Sequence, residues 1–309
     1  MFSGGSALSS SPTPRLRKIL VGRNGLRAGW RLFIFLLIFA AFVIVPALVL
    51  GHFVPQIPAQ PVDTFHPGYL IFFESWVAFF LFLAVFVMTK IEERAFSDYG
   101  LPRRGAFGRK FLLGLAAGLG GASMLIALIA ILGGYSVGSL ALGPGSALKY
   151  GLVWAIVFLL AGFNEEFLFR GYMQMTLASG IGFWPAAVIL SVGFAALHLS
   201  NPGERWPGIA MLFCFSMLAA FTLQRTGSLW FIVGLHAAWD WAHVFLFSEP
   251  IAGMLSAQQL LHSSLRGPKW LTGGRVGPDG SLFAFVVLLS IALLVGRGFS
   301  QEKSDLAKT

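Results

Sequence analysis

The feature that most constrains this chain is a succession of long apolar runs that carry almost no charge. The first run covers residues 32–50, and about 20 apolar residues are enough for a helix to cross a bilayer. Backbone polar groups in lipid need partners within their own segment, so each run is expected to be a helix. The other runs lie near 68–89, 111–132, 149–170, 184–200, 207–224, 229–247 and 281–296. The sequence therefore predicts an all-α, polytopic transmembrane helix bundle of about eight spans.

Composition excludes an ordinary soluble enzyme. Charged residues make up 11% of the chain, whereas soluble domains average about 25%. The net charge is +9, but the basic residues flank the apolar runs, which favours contact with membrane lipids over binding of nucleic acid. The single cysteine, Cys214, excludes a disulfide within the chain and disfavours a cysteine-based zinc site.

The distribution of Lys and Arg predicts how the spans are oriented. With eight spans and the N-terminus inside, 17 of the 22 Lys and Arg residues fall on the inner side and 5 on the outer side. Such a bias is typical of cytoplasmic segments. We therefore expect an integral, multi-pass protein with both termini in the cytoplasm, in the plasma membrane if the host is a bacterium.

Span 4 carries three ionisable residues, which are costly in a membrane and are therefore functional candidates. Glu166 and Arg170 are four residues apart, share a helix face and can pair. Glu165 lies about 100° around the helix from Glu166 and must face something else. A charge cluster at the membrane interface is the alternative interpretation.

Span 5 ends at His198, and a lone histidine in an apolar helix is often structural. The spacing favours a functional role, because spans 4 and 5 form an antiparallel hairpin if the chain turns at residues 180–182. Glu165 and His198 then lie at nearly the same height, about 24 Å from the turn at 1.5 Å per residue. A carboxylate and an imidazole at one height on neighbouring helices indicate a shared site.

Span 7 carries His236 and Asp240, which are four residues apart on one face, and His243 lies about one turn further on. A histidine and a carboxylate at this spacing can bind a metal ion or hold a reacting water molecule. A hydrogen-bonded pair between helices is the alternative. Span 2 adds one further intramembrane carboxylate, Glu74.

Taken in order, these residues resemble the CPBP family of intramembrane proteases, the CAAX-protease and bacteriocin-processing family that is also called Abi. The family pattern is Glu-Glu-x-x-x-Arg, then Phe-x-x-x-His, then His-x-x-x-Asn or a similar polar residue. The matching positions in this chain are Glu165, Glu166 and Arg170, then Phe194 and His198, then His236 and Asp240. The resemblance covers roughly residues 149–245 and implies peptide-bond hydrolysis within the membrane, as in type II CAAX prenyl endopeptidases.

The resemblance also implies roles for the site residues. Glu165 and His198 match the pair that activates water, and Arg170 would pair with Glu166. His236 would stabilise the tetrahedral oxyanion and Asp240 would orient it. The last position is often Asn in the family, and Asp240 cannot donate a hydrogen bond unless it is protonated or bridged by a metal.

The resemblance leaves the cofactor open, because family members are described both as metalloproteases and as metal-free glutamic proteases. Glu165, His198, His236 and Asp240 have the donor chemistry of a zinc site, and they could equally hold water alone. The expected cofactor is therefore either zinc or none.

Four parts of the chain follow from this interpretation. They are a basic, partly disordered tail at 1–30, spans 1–3 at 31–135, a CAAX-protease-like catalytic core of spans 4–7 at 149–247, and span 8 with a cytoplasmic tail at 281–309. The expected partners are membrane lipids and a membrane-associated protein or peptide substrate. Two alternatives keep the same spans but change the function: a non-catalytic membrane regulator on this fold, and a proton-coupled transporter, which also uses buried acids and histidines.

Overall fold

The computed structural model describes residues 21–22, 25–53, 64–102, 105–201 and 203–299. Residues 1–20 of the predicted N-terminal tail, and the C-terminal tail beyond residue 299, lie outside these ranges. The structure is 76% helical with little sheet, which confirms the predicted all-α polytopic bundle.

The helices follow the apolar runs closely. They are α1 (Ala28–Phe53), α2 (Pro67–Glu92), α3 (Arg109–Ile131), α4 (Pro144–Glu166), α5 (Gln174–Ile181), α6 (Phe183–Leu197), α7 (Trp206–Thr226), α8 (Trp230–Trp241), α9 (Lys269–Thr272) and α10 (Leu282–Gly298). Wider π-helical turns continue α4 at Phe167–Met173 and α8 at Ala242–Leu246. Short 3-10 helices lie at Phe96–Tyr99, His198–Ser200, Gly274–Val276 and Pro278–Gly280.

The span count differs from the prediction in two places. Within the part of the chain that the structure describes, six helices are long and apolar enough to cross a membrane, and one of them runs unbroken from Pro144 to Ile181. The predicted spans 7 and 8 are shorter helices, Trp230–Trp241 and Leu282–Gly298. The apolar runs were located correctly, and with its π-helical turn α8 extends to Leu246, close to the predicted bounds of span 7 at 229–247.

Backbone contact between α3 and α8 fixes the centre of the bundle. A Cβ atom on Gly114 would lie 2.0 Å from the carbonyl oxygen of Phe231, and one on Gly118 would lie 2.2 Å from that of Leu235. Only glycine allows this approach, which is the usual way in which membrane helices gain packing contacts. The contact holds α8, and therefore His236, against the core of the protein.

Among the residues that the structure describes, six two-residue strands pair outside the helices. They are β1 (Val21–Gly22) antiparallel to β2 (Gly25–Leu26), β3 (Thr64–Phe65) parallel to β5 (Leu255–Ser256), and β4 (Tyr135–Ser136) antiparallel to β6 (Ser264–Leu265). Residues 248–281, which we call the cap loop, thus join the start of α2 to the segment after α3. The cap loop also contacts the segment after α6, because a Cβ on Gly203 would lie 2.0 Å from the Gly253 carbonyl oxygen.

At the opposite end of α2, Glu92 ties four segments together. Its buried carboxylate accepts hydrogen bonds from Arg31 of α1 and from the hydroxyls of Tyr99 and Tyr172. The ring of Tyr172 also packs 4.0 Å, between ring centroids, from Phe35 of α1. These contacts anchor the π-helical turn that carries Arg170.

Candidate active site

The two glutamates of span 4 are the last residues of α4 and have different surroundings. Glu166 is completely buried, whereas the side chain of Glu165 is 37% exposed. The π-helical turn that follows contains Arg170, and such turns are frequent at functional sites. As the sequence predicts, the neighbouring carboxylates face in different directions.

Glu166 lies between a guanidinium and an imidazole. Its Oε2 atom is 3.3 Å from Nη1 of Arg170, and its Oε1 atom accepts a hydrogen bond from Nδ1 of His236 at 2.8 Å. The predicted pairing of Glu166 with Arg170 is confirmed. The contact with His236 joins the first and third motifs and favours a single orientation of the imidazole ring.

Arg170 also connects the first motif to the second. Its guanidinium lies 4.5 Å from the centre of the Phe194 ring, a distance typical of a cation–π contact. Four residues further along α6, Nδ1 of His198 lies 2.9 Å from the Phe194 carbonyl oxygen. Because α5 ends at Ile181 and α6 begins at Phe183, the chain turns where the sequence predicts, and Glu165 and His198 line the same cavity.

The other nitrogen of His236 faces two carboxylates. Its Nε2 atom lies 3.4 Å from Oδ2 of Asp240 and 3.8 Å from Oε2 of Glu165. The ring of His236 also packs edge-on against Phe215, with 5.0 Å between centroids. His236 is therefore the residue around which the buried carboxylate and the two accessible ones are arranged.

One cavity of about 420 Å³ brings the predicted site residues together. Its polar lining is Glu74, Glu165, His198, Asn201, His236, Asp240 and Asp279, and the rest of the wall is mainly apolar. Glu166 and Arg170 are not part of the lining and lie behind it. The site thus has accessible groups that can touch a substrate, supported by a buried ion pair that positions them.

The comparison with protein families decides which kind of protein carries this arrangement. Residues 147–242 match the family model of type II CAAX prenyl endopeptidase Rce1-like proteins. This segment, about a third of the chain, is similar to Rce1-like domains. The match supports the recognition of a CPBP-family intramembrane protease, and with it intramembrane endopeptidase activity in general. Neither the curated proteins nor the solved structures give a match to the chain.

Two acidic residues of the cavity lie outside the three motifs. Glu74 on α2 accepts a hydrogen bond from Nδ2 of Asn164 at 2.9 Å, and Asp279 in the cap loop accepts one from Nε1 of Trp239 at 3.2 Å. Sequence reasoning noticed Glu74 as an intramembrane acid but did not place it in the site. It missed Asp279, because only the folded cap loop brings that residue to the cavity.

His243 does not reach the cavity. Its ring is completely buried, and its Nε2 atom lies 4.0 Å from Oδ1 of Asp279. The residue follows Trp241 into the π-helical turn, so it does not share the cavity-facing side of α8 with His236 and Asp240.

The donor atoms of the cavity have the right chemistry for zinc, since imidazole and carboxylate groups are common zinc ligands. Their arrangement does not fit a metal site: among the residues that the structure describes, no group of three or more His, Cys, Asp or Glu is placed to hold a metal ion. Nδ1 of His236 is already hydrogen-bonded to Glu166. The chemistry below is therefore derived from the side chains and water.

Proposed function

We propose that the chain is an intramembrane endopeptidase that hydrolyses a peptide bond of a membrane-associated protein or peptide, with water activated by Glu165 and His198. The observation that carries this proposal is the shared cavity. A partly exposed carboxylate and two histidines, from three different helices within the segment that is similar to Rce1-like domains, line one space of about 420 Å³.

Glu165 acts as the general base. Its carboxylate removes a proton from a water molecule, and the oxygen of that water attacks the carbonyl carbon of the substrate. His198 holds the water through Nε2, because its Nδ1 atom is engaged by the Phe194 carbonyl. Positioned acid–base groups of this kind typically contribute 10²–10⁴-fold to the rate.

His236 stabilises the tetrahedral intermediate. With Nδ1 donating to Glu166, a protonated ring presents an Nε2–H donor toward Asp240, Glu165 and the cavity. A donor that is fixed in advance stabilises a developing oxyanion more effectively than one that must reorient. Glu165 then returns its proton to the nitrogen of the breaking C–N bond, which releases the amine and leaves a new carboxylate on the other product.

The cavity is accessible from the side of the bundle. Two of its lining residues are also exposed on the surface of the helices, Phe73 on α2 at 42% and Leu197 at the end of α6 at 65%. Both side chains are apolar and suit contact with lipid. This arrangement supports entry of a substrate that is already associated with the membrane.

Cleavage by defined variants tests the proposal. Membranes that contain wild-type protein are compared with membranes that contain Glu165→Ala or His198→Ala, and new peptide termini in membrane proteins are mapped by mass spectrometry. We expect termini that depend on both residues while the variants still fold and insert. Termini that persist in both variants would reject this mechanism, and their absence in wild type would favour a regulatory role.

Zinc remains a prediction, with Glu165, His198, His236 and Asp240 as its ligands. Elemental analysis of the purified protein beside a His198→Ala/His236→Ala variant decides between the two cofactor states. About one zinc ion per chain, lost in the variant, would establish a metal site in which Asp240 serves as a ligand. Metal-free protein that cleaves its substrate would establish the glutamic mechanism.

We further propose that the protein is an integral membrane protein, in the plasma membrane if the host is a bacterium, with both termini in the cytoplasm, in contact with anionic lipid through its basic segments and without a nucleic-acid partner. Labelling of single cysteines introduced at residues 12 and 305, in a Cys214→Ser background, tests the orientation. Both cysteines should react with a membrane-impermeant reagent added outside the cell only after the membrane has been permeabilised.

A further inference from the structure

The charges around the active-site cavity are one-sided. Four carboxylates line it, those of Glu74, Glu165, Asp240 and Asp279, and none of the described residues of the lining is Lys or Arg. Carboxylates that share a space of low polarity repel one another much more strongly than they would in water.

Arg170, the arginine of the first motif, does not offset the negative charge of the cavity. Arg170 lies behind the cavity wall, where its Nη1 atom is 3.3 Å from Glu166 and its guanidinium stacks on Phe194. Its charge is thus already balanced by Glu166, which is a fifth carboxylate outside the cavity lining. The histidines are the cationic candidates of the lining, and His236 already faces Glu165 and Asp240.

The two carboxylates outside the motifs are held by neutral donors. Glu74 accepts from the amide of Asn164 and Asp279 from the indole of Trp239. Neutral donors fix where these carboxylates point but supply no positive charge; the buried imidazole of His243 also lies 4.0 Å from Oδ1 of Asp279. A buried charge is costly unless an opposite charge pairs with it, so a cation that enters the cavity gains free energy from both.

We infer that the cavity selects substrate segments that carry a basic side chain, Lys or Arg, close to the scissile bond. Glu74 and Asp279 are the specificity-determining residues, and the apolar wall receives the membrane-associated remainder of the segment. The inference rests on the proposed function, because it names the class of substrate for the same site. It also predicts that a segment with an acidic side chain at this point is disfavoured.

Synthetic peptides test this inference through binding and cleavage measured in the same samples. Three peptides share one apolar sequence, long enough to span a bilayer at about 20 residues, and differ only in a central Lys, Gln or Glu. Binding to the full-length protein in lipid nanodiscs is followed by fluorescence, and cleavage by mass spectrometry. We expect the Lys peptide to bind about tenfold more tightly than the Gln peptide, which corresponds to about 1.4 kcal/mol, and the Glu peptide to bind most weakly.

Charge-removing variants identify the residues responsible. Asp279→Asn and Glu74→Gln each narrow the ratio of Lys-peptide to Gln-peptide binding by several-fold, and the double variant brings it close to one. Asp98→Asn is the matched control, because it removes the same charge from an exposed position on the segment between α2 and α3; its ratio stays at the wild-type value. If Asp279→Asn does not fold, Glu74→Gln carries the test.

The outcomes separate this inference from the proposed function. Equal binding of the three peptides, or no binding of the Lys peptide, overturns the charge selection. A charge preference that Glu74→Gln and Asp279→Asn leave unchanged overturns their assignment. Preferential binding of the Lys peptide without any cleavage supports the charge selection and counts against endopeptidase activity. Cleavage of all three peptides at equal rates supports endopeptidase activity and counts against the charge selection.

Discussion

The two histidines of the site are held in very different ways. His236 lies in the middle of α8 with its side chain 8% exposed, one nitrogen bonded to Glu166 and the other facing Glu165 and Asp240. His198 follows the end of α6, is only partly buried, and its Nδ1 atom contacts a backbone carbonyl four residues earlier.

This difference follows from the helices that carry the two residues. α8 is in backbone contact with α3 through glycines, so His236 cannot shift without moving the core. α6 ends at Leu197 and passes into a 3-10 turn, which leaves His198 beside a loop. The comparison indicates that the group assigned to the oxyanion is rigid, while the group assigned to the water can adjust to the substrate.

The largest expected effect comes from Glu165, the carboxylate that lines the cavity together with both histidines. Glu165→Gln should lower kcat/KM for cleavage by about 10³-fold or more, because an amide cannot accept the proton of water. Thermal unfolding should change little, since the side chain is 37% exposed. Cleavage assays in nanodiscs measure the loss, and retention of more than a tenth of the activity would contradict the assignment.

Replacing each histidine by alanine tests the comparison directly. Both His236→Ala and His198→Ala should lose at least about 10²-fold in kcat, but only His236→Ala should lower stability substantially, by about 3 kcal/mol, because Glu166 then loses a buried partner. His198→Ala should stay within about 1 kcal/mol of wild type. Unfolding by denaturant measures both, and equal losses of stability would break the distinction.

The glycine contact behind His236 can be disturbed on its own. Gly118→Ala should destabilise the fold by about 2–3 kcal/mol, because its Cβ would lie 2.2 Å from the carbonyl oxygen of Leu235. Gly120→Ala is the matched control on the same helix, where a Cβ meets no atom within 4 Å. It should be neutral or slightly stabilising because alanine favours helices, and similar effects of both variants would contradict the close backbone contact between α3 and α8.

The smallest expected effect concerns Glu249, a buried carboxylate of the cap loop. Burial raises the pKa of Glu249 in the cap loop to about 7. A carboxyl group with a raised pKa in the folded state makes the fold less stable as the pH rises from about 4.5 to 7. Glu249→Gln should remove this loss, so its stability relative to wild type should increase by about 2 kcal/mol between pH 5 and pH 8.

Unfolding curves at the two pH values measure the effect of Glu249→Gln. Glu93→Gln, an exposed change of the same kind on the segment after α2, is the control and should show no such pH dependence. If the difference in stability between Glu249→Gln and wild type does not grow with pH, the pKa of the Glu249 carboxyl group is not raised.

Local spacing was sufficient for much of the site. The pairing of Glu166 with Arg170 and the shared face of His236 and Asp240 follow from helical periodicity, since residues four apart are neighbours. The expectation that Glu165 and His198 share a site needed only the position of the turn, and both residues line one cavity. The assignment of catalytic roles to these residues stays a prediction, as does the cofactor.

Contacts between distant segments could not be read from spacing. Nothing near Asp279 in the chain marks it as a cavity residue, because its position depends on how the cap loop pairs with β3 and β4. The contact of Glu166 with His236 spans 70 residues and depends on how α4 and α8 pack side by side. The π-helical turns after α4 and α8 were also missed, because hydropathy measures apolarity and not the regularity of the helix.

The sequence alone thus determined that this is a membrane-embedded helical protein with three polar motifs on three spans, because apolar length and helical periodicity are local properties. The tertiary structure decided which carboxylates share the cavity, which histidine is rigid and where the ion pair lies. Those features depend on helix packing and on the cap loop, whose contacts join residues far apart in the chain.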